Sequence, residues 1–592
     1  MPLHRCLLLA TFAATASSSW VYVAGENAVD GCGMACGGSD PRFRCLGTFK
    51  SPQGLQECEV ACNKTASCAI VTYSTATGNC WERLDGVWDL TASTGTTSGC
   101  DTSRVPACNP PPPYSDLNVT VSVGAPAGVP MHPLGPAFAL DFWLSTDPTY
   151  GEKWGSSGVL TIDLDSPMLN MYSSALAPAI LRLGGSPEDS IVFDADGTCS
   201  PGGGDGPFPG YYCSQVRPYT YGCLTPARWE AILAFADRVG FKIAFGFNGC
   251  YGRSGPDAPM DYSNARAIME ATAASAHAGA LAYWELSNEV VPQTIHATSY
   301  VADLRVLRNM SEEIFSTRGL APPGLVGPDQ ADGIAVNEVV DALHNETGVL
   351  SAITYHQYPQ CESDSTGTFA MSPSCLAKLP QVALATSSVS STIPGLAAWS
   401  GEGADHSGGG VAGLTDTFRS SFYYATQIGS LPLNGVELMA RQCLSGGDYE
   451  LLQRFSNASF APNPDFYIAW IARGLFRKGA QAFNVTSSAP PSLSGLQVFA
   501  FEGNPASGGS TTLMFVNAHL TNTYYARPLT LVGQRAEWHV TGDLTSPHAP
   551  VFINGVAMQP GSLPSLASIG VPQCCGNVIV VQPASIVFVA GS

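Results

Sequence analysis

Residues 281–290 read LAYWELSNEV. Five of the first six are apolar, the pattern of a strand buried on both faces. The run then breaks into Ser287, Asn288 and Glu289, with a further glutamate at Glu285. A carboxylate beside an amide at the end of a buried strand fits either a surface turn or an acid placed at the mouth of a barrel. Seven other runs bear on the choice: AFALDFW (137–143), AILRLGG (179–185), KIAFGFN (242–248), GLVGPD (324–329), AITYHQY (352–358), LAAWSGE (396–402) and VELMARQ (436–442). Amphipathic segments such as TPARWEAILAFADRVG (225–240) and SYVADLRVLRNMSEEIFSTRG (299–319) lie between them. Eight alternating strand–helix units over residues 134–475 predict a (β/α)8 TIM barrel within a multidomain α/β chain. A doubly wound open sheet is the alternative, but no G-x-G-x-x-G or G-x-x-x-x-G-K-[ST] follows any of these strands.

In a barrel, the chemistry belongs at the C-terminal ends of the strands. Those ends carry Asp141, Gly184-Gly185-Ser186, Asn248, Asn288-Glu289, Asp329, His356 and Tyr358, Glu402, and Arg441-Gln442. Glu289 and Glu402 close the fourth and seventh strands, which face one another across the mouth. Two carboxyl groups about 5–5.5 Å apart can hydrolyse a glycosidic bond with retention, one as acid/base and one as nucleophile. Taken alone, each glutamate also fits an exposed loop residue or a partner for an arginine. Glu285 has a different phase along its strand and reads as structural. His356 is either a core histidine or a polar residue of the cleft.

The flanks are different in kind. The first 19 residues combine His4 and Arg5 with an apolar run and small residues, which predicts a signal peptide (1–19). Residues 21–108 hold nine cysteines, Cys32, Cys36, Cys45, Cys58, Cys62, Cys68, Cys80, Cys100 and Cys108, and a Pro-rich linker (109–116) follows. Cys58 and Cys62 share one face of a helix and could staple it to strands at Cys68 and Cys80. With no C-x2-C pair and no histidine in this block, disulfides are favoured over zinc. Residues 478–592 contain short strands between turns, and with the alternating 117–130 segment they predict a β-sandwich.

The net charge of −20, from 27 Lys+Arg against 47 Asp+Glu, disfavours nucleic acid as a partner. No run beyond the signal is long and apolar enough to span a membrane. Export is therefore expected, to the extracellular space or to a lysosome- or vacuole-like compartment. The sequons at Asn63, Asn118, Asn309, Asn345, Asn457 and Asn484 are then glycosylation candidates. The ten histidines form no H-E-x-x-H or other ligand cluster, so no metal or cofactor is expected.

WELSNEV, RLGGSPEDSIVFD, WSGEGADHSGGG…TDTF and MARQCLSGGDYEL occur in that order. From about residue 114 onward the chain resembles the heparanase and β-glucuronidase group, glycoside hydrolase family 79. The cysteine spacing of the N-terminal block resembles the PAN/apple modules, which bind proteins or glycans. The family resemblance implies a TIM barrel plus a β-sandwich, with Glu289 as acid/base and Glu402 as nucleophile. It implies sugar contacts by Asp141, Ser186 and Asn288, to which the strand-end reading adds His356 and Tyr358 as candidate substrate-binding residues. It also implies a glucuronate carboxylate held by the backbone N–H groups of Gly408 and Gly409, with Gln442 and Tyr449 nearby. Three positions depart from the pattern. Ser407, with His406 beside it, stands where the family has a tyrosine, and Ser186 stands for a threonine. Residues 199–223, with Cys199, Cys213 and Cys223, replace a long excised linker, so a single-chain enzyme is expected.

The implied reaction is retaining hydrolysis of β-linked glucuronic acid on glycans or proteoglycans. Two alternatives remain: an endo-acting, heparanase-like enzyme, which would want basic residues along its cleft, or an inactive glycan-binding or adhesion protein.

Overall fold

The computed structural model describes residues 117–591, apart from 200–218, 332–335, 362–366, 456–458, 490–494, 508, 532–533 and 574–577, and the backbone of five strands between residues 20 and 101. Two compact units are present: residues 1–119 with Thr523–Arg535 and Pro572–Val580, and Thr120–Asn522 with Ala536–Val571 and Val581–Ser592. In the first unit, Trp20–Ala28, Cys45–Lys50, Cys68–Ser74, Asn79–Leu84 and Leu90–Asp101 form an antiparallel sheet in the order first, fifth, third, fourth, second. Strands do start at or beside Cys68 and Cys80. The expected signal peptide, the Cys58/Cys62 helix and the Pro-rich linker lie outside the described residues.

The second unit contains the barrel. Its strands are β1 (Ala137–Asp141), β2 (Ala179–Gly184), β3 (Phe241–Phe247), β4 (Leu281–Leu286), β5 (Gly324–Ala331), β6 (Ala352–Gln357), β7 (Ala397–Gly403) and β8 (Leu438–Arg441). All pair in parallel, and β8 closes on β1. Eight helices cover them: α1 (Pro167–Leu176), α2 (Pro226–Val239), α3 (Ser263–Ala274), α4 (Ala297–Ser316), α5 (Val336–Leu343), α6 (Leu379–Ser390), α7 (Phe418–Leu433) and α8 (Pro464–Leu475). Local chemistry sets their ends. On α2, the Thr225 side chain accepts from the Arg228 N–H, Pro226 starts the first turn, and Gly240 closes it at φ 85°.

The barrel interior is layered. Ala137, Ile180, Ala244, Val326, Ala352, Trp399, Leu438 and Ala440 form an apolar floor. Residues of the same phase farther along the strands are polar: Arg182 follows Ile180 on β2, and Glu285 follows Tyr283 on β4. Glycines make room for them. A Cβ on Gly184 would lie 2.5 Å from the Arg182 guanidinium carbon, and one on Gly246 would lie 2.2 Å from Glu188 Oε2. One on Gly401 would lie 2.1 Å from Asp329 Oδ1.

The C-terminal strands form an antiparallel β domain in the same unit. Ala482–Ser487, Leu496–Glu502, Thr511–Asn517 and Ser585–Gly591 are successive neighbours. Leu117–Ala127, the segment preceding the barrel, pairs with the first of them. The sheet packs on α7, where Phe499 fills the space that a side chain on Gly429 would need. Among the described residues, no helix is long and apolar enough to cross a membrane. Asn118, Asn309, Asn345 and Asn484 are exposed, while Asn63 and Asn457 lie outside the described residues.

Candidate active site

The polar layer above the barrel floor is organised by Arg182, which is 3% exposed. Its Nε donates to Glu285 Oε2 at 2.7 Å, and Nη1 donates to Glu402 Oε2 at 2.6 Å. Nη2 donates to Asn288 Oδ1 at 2.8 Å, pairs with Asp329, and lies 3.6 Å from Glu188 Oε2. One guanidinium from β2 thus ties together the ends of β4, β5 and β7. Its planar fork suits several carboxylates at once, which a lysine could not match. Sequence reading missed this residue. The available signal was a lone arginine inside the apolar run AILRLGG, in phase with an inward-facing isoleucine.

His356, fully buried at the end of β6, bridges the two glutamates of interest. Its Nδ1 lies 2.9 Å from Glu289 Oε1 and 3.9 Å from Glu402 Oε1, while Nε2 lies 3.4 Å from Asp329 Oδ1. Burial opposes its charge, but Glu402 and Asp329 outweigh burial and hold its pKa well above the usual histidine value. Tyr358 donates a hydrogen bond to Glu402 Oε1. Glu402 therefore carries a donor on each oxygen, Arg182 on one and Tyr358 on the other. The Glu289 side chain is 25% exposed, against 9% for Glu402, so it is the more open of the two.

The backbone at this mouth is strained. Ser287, Glu289 and Asp329 adopt φ of 59°, 56° and 50°, a region that side chains other than glycine rarely occupy. It is held by the Ser287 N–H on Phe247 O (3.0 Å), the Asn288 N–H on Asp189 Oδ2 (3.1 Å) and the Glu289 N–H on Asp329 O (3.0 Å). The abrupt end of LAYWELSNEV is thus a sharp turn that places Asn288 inward and Glu289 toward the opening.

Carboxyl groups outnumber cations in this layer. Burial raises Glu188 and Glu285 well above the usual carboxylate range, despite their proximity to Arg182. Asp329 goes the other way: Arg182 and His356 overcome its burial and hold it low. Glu285, read as structural, is buried against Arg182 and accepts its Nε–H.

A second group adjoins the first. Gln442 Nε2 donates to Asp141 Oδ2 at 2.7 Å and to the Tyr449 hydroxyl at 3.3 Å. Burial, with Glu402 adding to it, pushes Asp141 up to about 8. Gly185, at φ 85°, packs so closely on Asp141 that a Cβ there would lie 2.5 Å from its carboxyl carbon, and Ser186 follows directly. Gly408 and Gly409, at φ 65° and 80°, lie beside Tyr150 and Trp154, and the adjoining Gly410 lies against Tyr449. Ser407 Oγ accepts from Gln360 Nε2 at 2.8 Å, and His406 is buried next to it. Cys199 pairs with Cys223, and Cys361 pairs with Cys375 just after Tyr358. Cys213 lies outside the described residues.

A closed eight-stranded barrel with buried, ion-paired carboxyl groups at strands four and seven is glycosidase architecture, and the comparisons agree: this protein is a glycoside hydrolase. Residues 137–429 match the description "Glycosyl hydrolase family 79, N-terminal domain". The chain is 29% identical to Heparanase-like protein 1 of Arabidopsis thaliana over 398 residues, 64% of this chain and 69% of that protein. It is 26% identical to Baicalin-beta-D-glucuronidase of Scutellaria baicalensis over 56% of this chain and 65% of that one. Against the Heparanase of Mus musculus the identity is 24%, over 58% and 68%. In fold it resembles a 4-O-alpha-L-rhamnosyl-beta-D-glucuronidase from Fusarium oxysporum 12S, with TM-score 0.52, 12% identity, and coverage of 80% of this chain and 100% of that one.

Proposed function

We propose that the protein hydrolyses β-linked glucuronic acid from glycans or proteoglycans by double displacement, with retention. The observation that carries this reading is His356 Nδ1 lying 2.9 Å from Glu289 and 3.9 Å from Glu402, which holds the two carboxyl groups within reach of one sugar. Glu402, hydrogen-bonded on both oxygens, attacks the anomeric carbon as its carboxylate. The more open Glu289 protonates the leaving oxygen and then takes a proton from water as it attacks the glycosyl-enzyme. Asn288, pinned by Arg182, is oriented for the sugar 2-hydroxyl, and Asp141, Ser186, Tyr358, Gln442 and Tyr449 contact the ring.

Glucuronide specificity is supported by the loop at Gly408 and Gly409. Among the described residues neither N–H has an acceptor within the chain, which suits a carboxylate. Exo action is favoured over endo action by the excess of acidic residues, since a polyanionic chain lying along the cleft would meet repulsion. On the same reading, the enzyme is exported and its N-terminal block is a PAN/apple-like module for a protein or glycan ligand.

The test is release of nitrophenol from p-nitrophenyl β-glucuronide, β-glucoside and β-galactoside by the wild type and Glu402→Gln, with the first-formed anomer read by NMR. Glucuronide turnover that yields the β-anomer and vanishes in the variant supports the reading. An α-anomer first, or turnover surviving in the variant, sinks it.

A further inference from the structure

Lys153 lies outside the catalytic groups, in a short helical turn after β1. Its ammonium donates to Gly410 O at 2.7 Å and to Gly408 O at 3.3 Å, and it pairs with Asp448 Oδ2 at 3.0 Å. All three of its donors are thereby spent on the glycine loop and the segment that follows β8. The Asp448 N–H also donates to Gly409 O at 2.6 Å, and the Gly447 N–H donates to Lys153 O at 3.2 Å. The carbonyls of Gly408, Gly409 and Gly410 are therefore all tied back to one side.

A planar trans peptide points its N–H opposite its C=O. Holding the Gly408 carbonyl on Lys153 therefore aims the Gly409 N–H away from the lysine. Within the loop, the Gly410 N–H is used on Ser407 O (3.2 Å) and the Val411 N–H on Thr415 Oγ1 (3.0 Å). The Gly408 and Gly409 N–H groups are the two left without an acceptor among the described residues. φ values of 65°, 80° and 78° at the three glycines allow this arrangement without a Cβ clash, and the lysine stem fills the space: a Cβ on Gly409 would lie 2.7 Å from Lys153 Cδ. A Cβ on Gly410 would lie 3.1 Å from the Tyr449 ring, whose hydroxyl accepts from Gln442, so the loop adjoins the site.

We infer that Lys153 is a positioning residue for substrate specificity: it orders the 408–410 loop so that two backbone N–H groups face a substrate carboxylate. Its charge is neutralised by Asp448, so it acts through geometry and not as the anion's direct partner. The inference rests on the uronate reading of the same loop.

The experiment compares wild type, Lys153→Met and Lys153→Arg on p-nitrophenyl β-glucuronide and β-glucoside, with inhibition by free glucuronic acid and thermal melts alongside. In Lys153→Met, KM for the glucuronide is expected to rise roughly tenfold, with kcat changed by less than about threefold. Inhibition by glucuronic acid should weaken by a similar factor, and Lys153→Arg should recover most of the loss. An unchanged KM in Lys153→Met overturns the inference while leaving the uronate reading intact. So does an equal loss on both substrates, which would mark a merely structural lysine. A wild type that neither cleaves the glucuronide nor is inhibited by glucuronic acid defeats the uronate reading itself, and this inference with it.

Discussion

Arg182 donates from Nη1 to Glu402 Oε2 at 2.6 Å and from Nε to Glu285 Oε2 at 2.7 Å, so one buried guanidinium joins the ends of β7 and β4. The two strands that carry Glu402 and Glu289 are thereby held in fixed relation by a residue on a third. Its loss should act on stability and catalysis together. Arg182→Gln leaves several buried carboxyl groups without their cation, which costs about 3–5 kcal/mol. The urea midpoint should fall accordingly, and a loss below about 1 kcal/mol would mean that the carboxyl groups simply take up protons.

The two glutamates should fail differently. Glu402→Gln removes the nucleophile and should abolish turnover of every glycoside. Glu289→Gln removes proton donation, worth about 10²–10⁴-fold on a poor leaving group, and should cost much less on a nitrophenyl glycoside, whose leaving group needs little protonation. Steady-state rates on an alkyl and a nitrophenyl glycoside separate the cases. Equal losses on both substrates would contradict the assignment of Glu289 as acid/base.

Tyr358 donates to Glu402 Oε1. A hydrogen bond to a charged group contributes about 1.5–3 kcal/mol, so Tyr358→Phe should lower kcat by about 10- to 100-fold if the bond persists to the transition state. The fold should survive, because the ring remains. An unchanged kcat would place the tyrosine outside the reacting machinery.

Stability should depend on pH through Glu450. Burial pushes its carboxyl up from 4.5 to about 8, against hydrogen bonds from the Gly446 N–H and Ser445. A raised folded-state pKa means that the native state binds the proton more tightly than the unfolded chain. Its contribution is complete below about pH 4.5 and is lost as pH rises through about 8. Asp141 acts in the same direction. The melting temperature should fall across that window, and Glu450→Gln, which mimics the neutral acid, should make the fall shallower. Superimposable wild-type and variant profiles would rule Glu450 out as a source.

Gly246 on β3 is needed for space. Gly246→Ala would drive a methyl group into Glu188, whose Oε2 lies 2.2 Å from the required Cβ position. Overpacking of this kind costs about 1–3 kcal/mol, readable as a lowered melting temperature. A wild-type melting temperature would mean that Glu188 moves freely.

Much of this architecture was legible in the chain. The eight apolar runs mark the eight barrel strands to within about two residues, because strands covered on both faces must be almost wholly apolar. Polar residues at their ends stand out against that background, which is why Asp141, Asn288, Glu289, His356 and Glu402 were accessible to reading alone. Arg182 was not, since its meaning depends on partners 103 and 220 residues away. Lys153 was hidden for the same reason, its contacts with the glycine loop being 255 and 257 residues distant.

The division follows from the range of the forces involved. Strand and helix periodicity, caps, turn glycines and the kinds of groups available at each strand end are local, so the sequence by itself determined the barrel and the inventory of its mouth. Which carboxyl groups share a cation, which keep their protons and which peptide N–H groups stay unspent depend on distances between segments far apart in the chain. Burial strengthens each of those contacts and makes every unpaired charge costly. Only the tertiary structure, by closing β8 on β1, decided them.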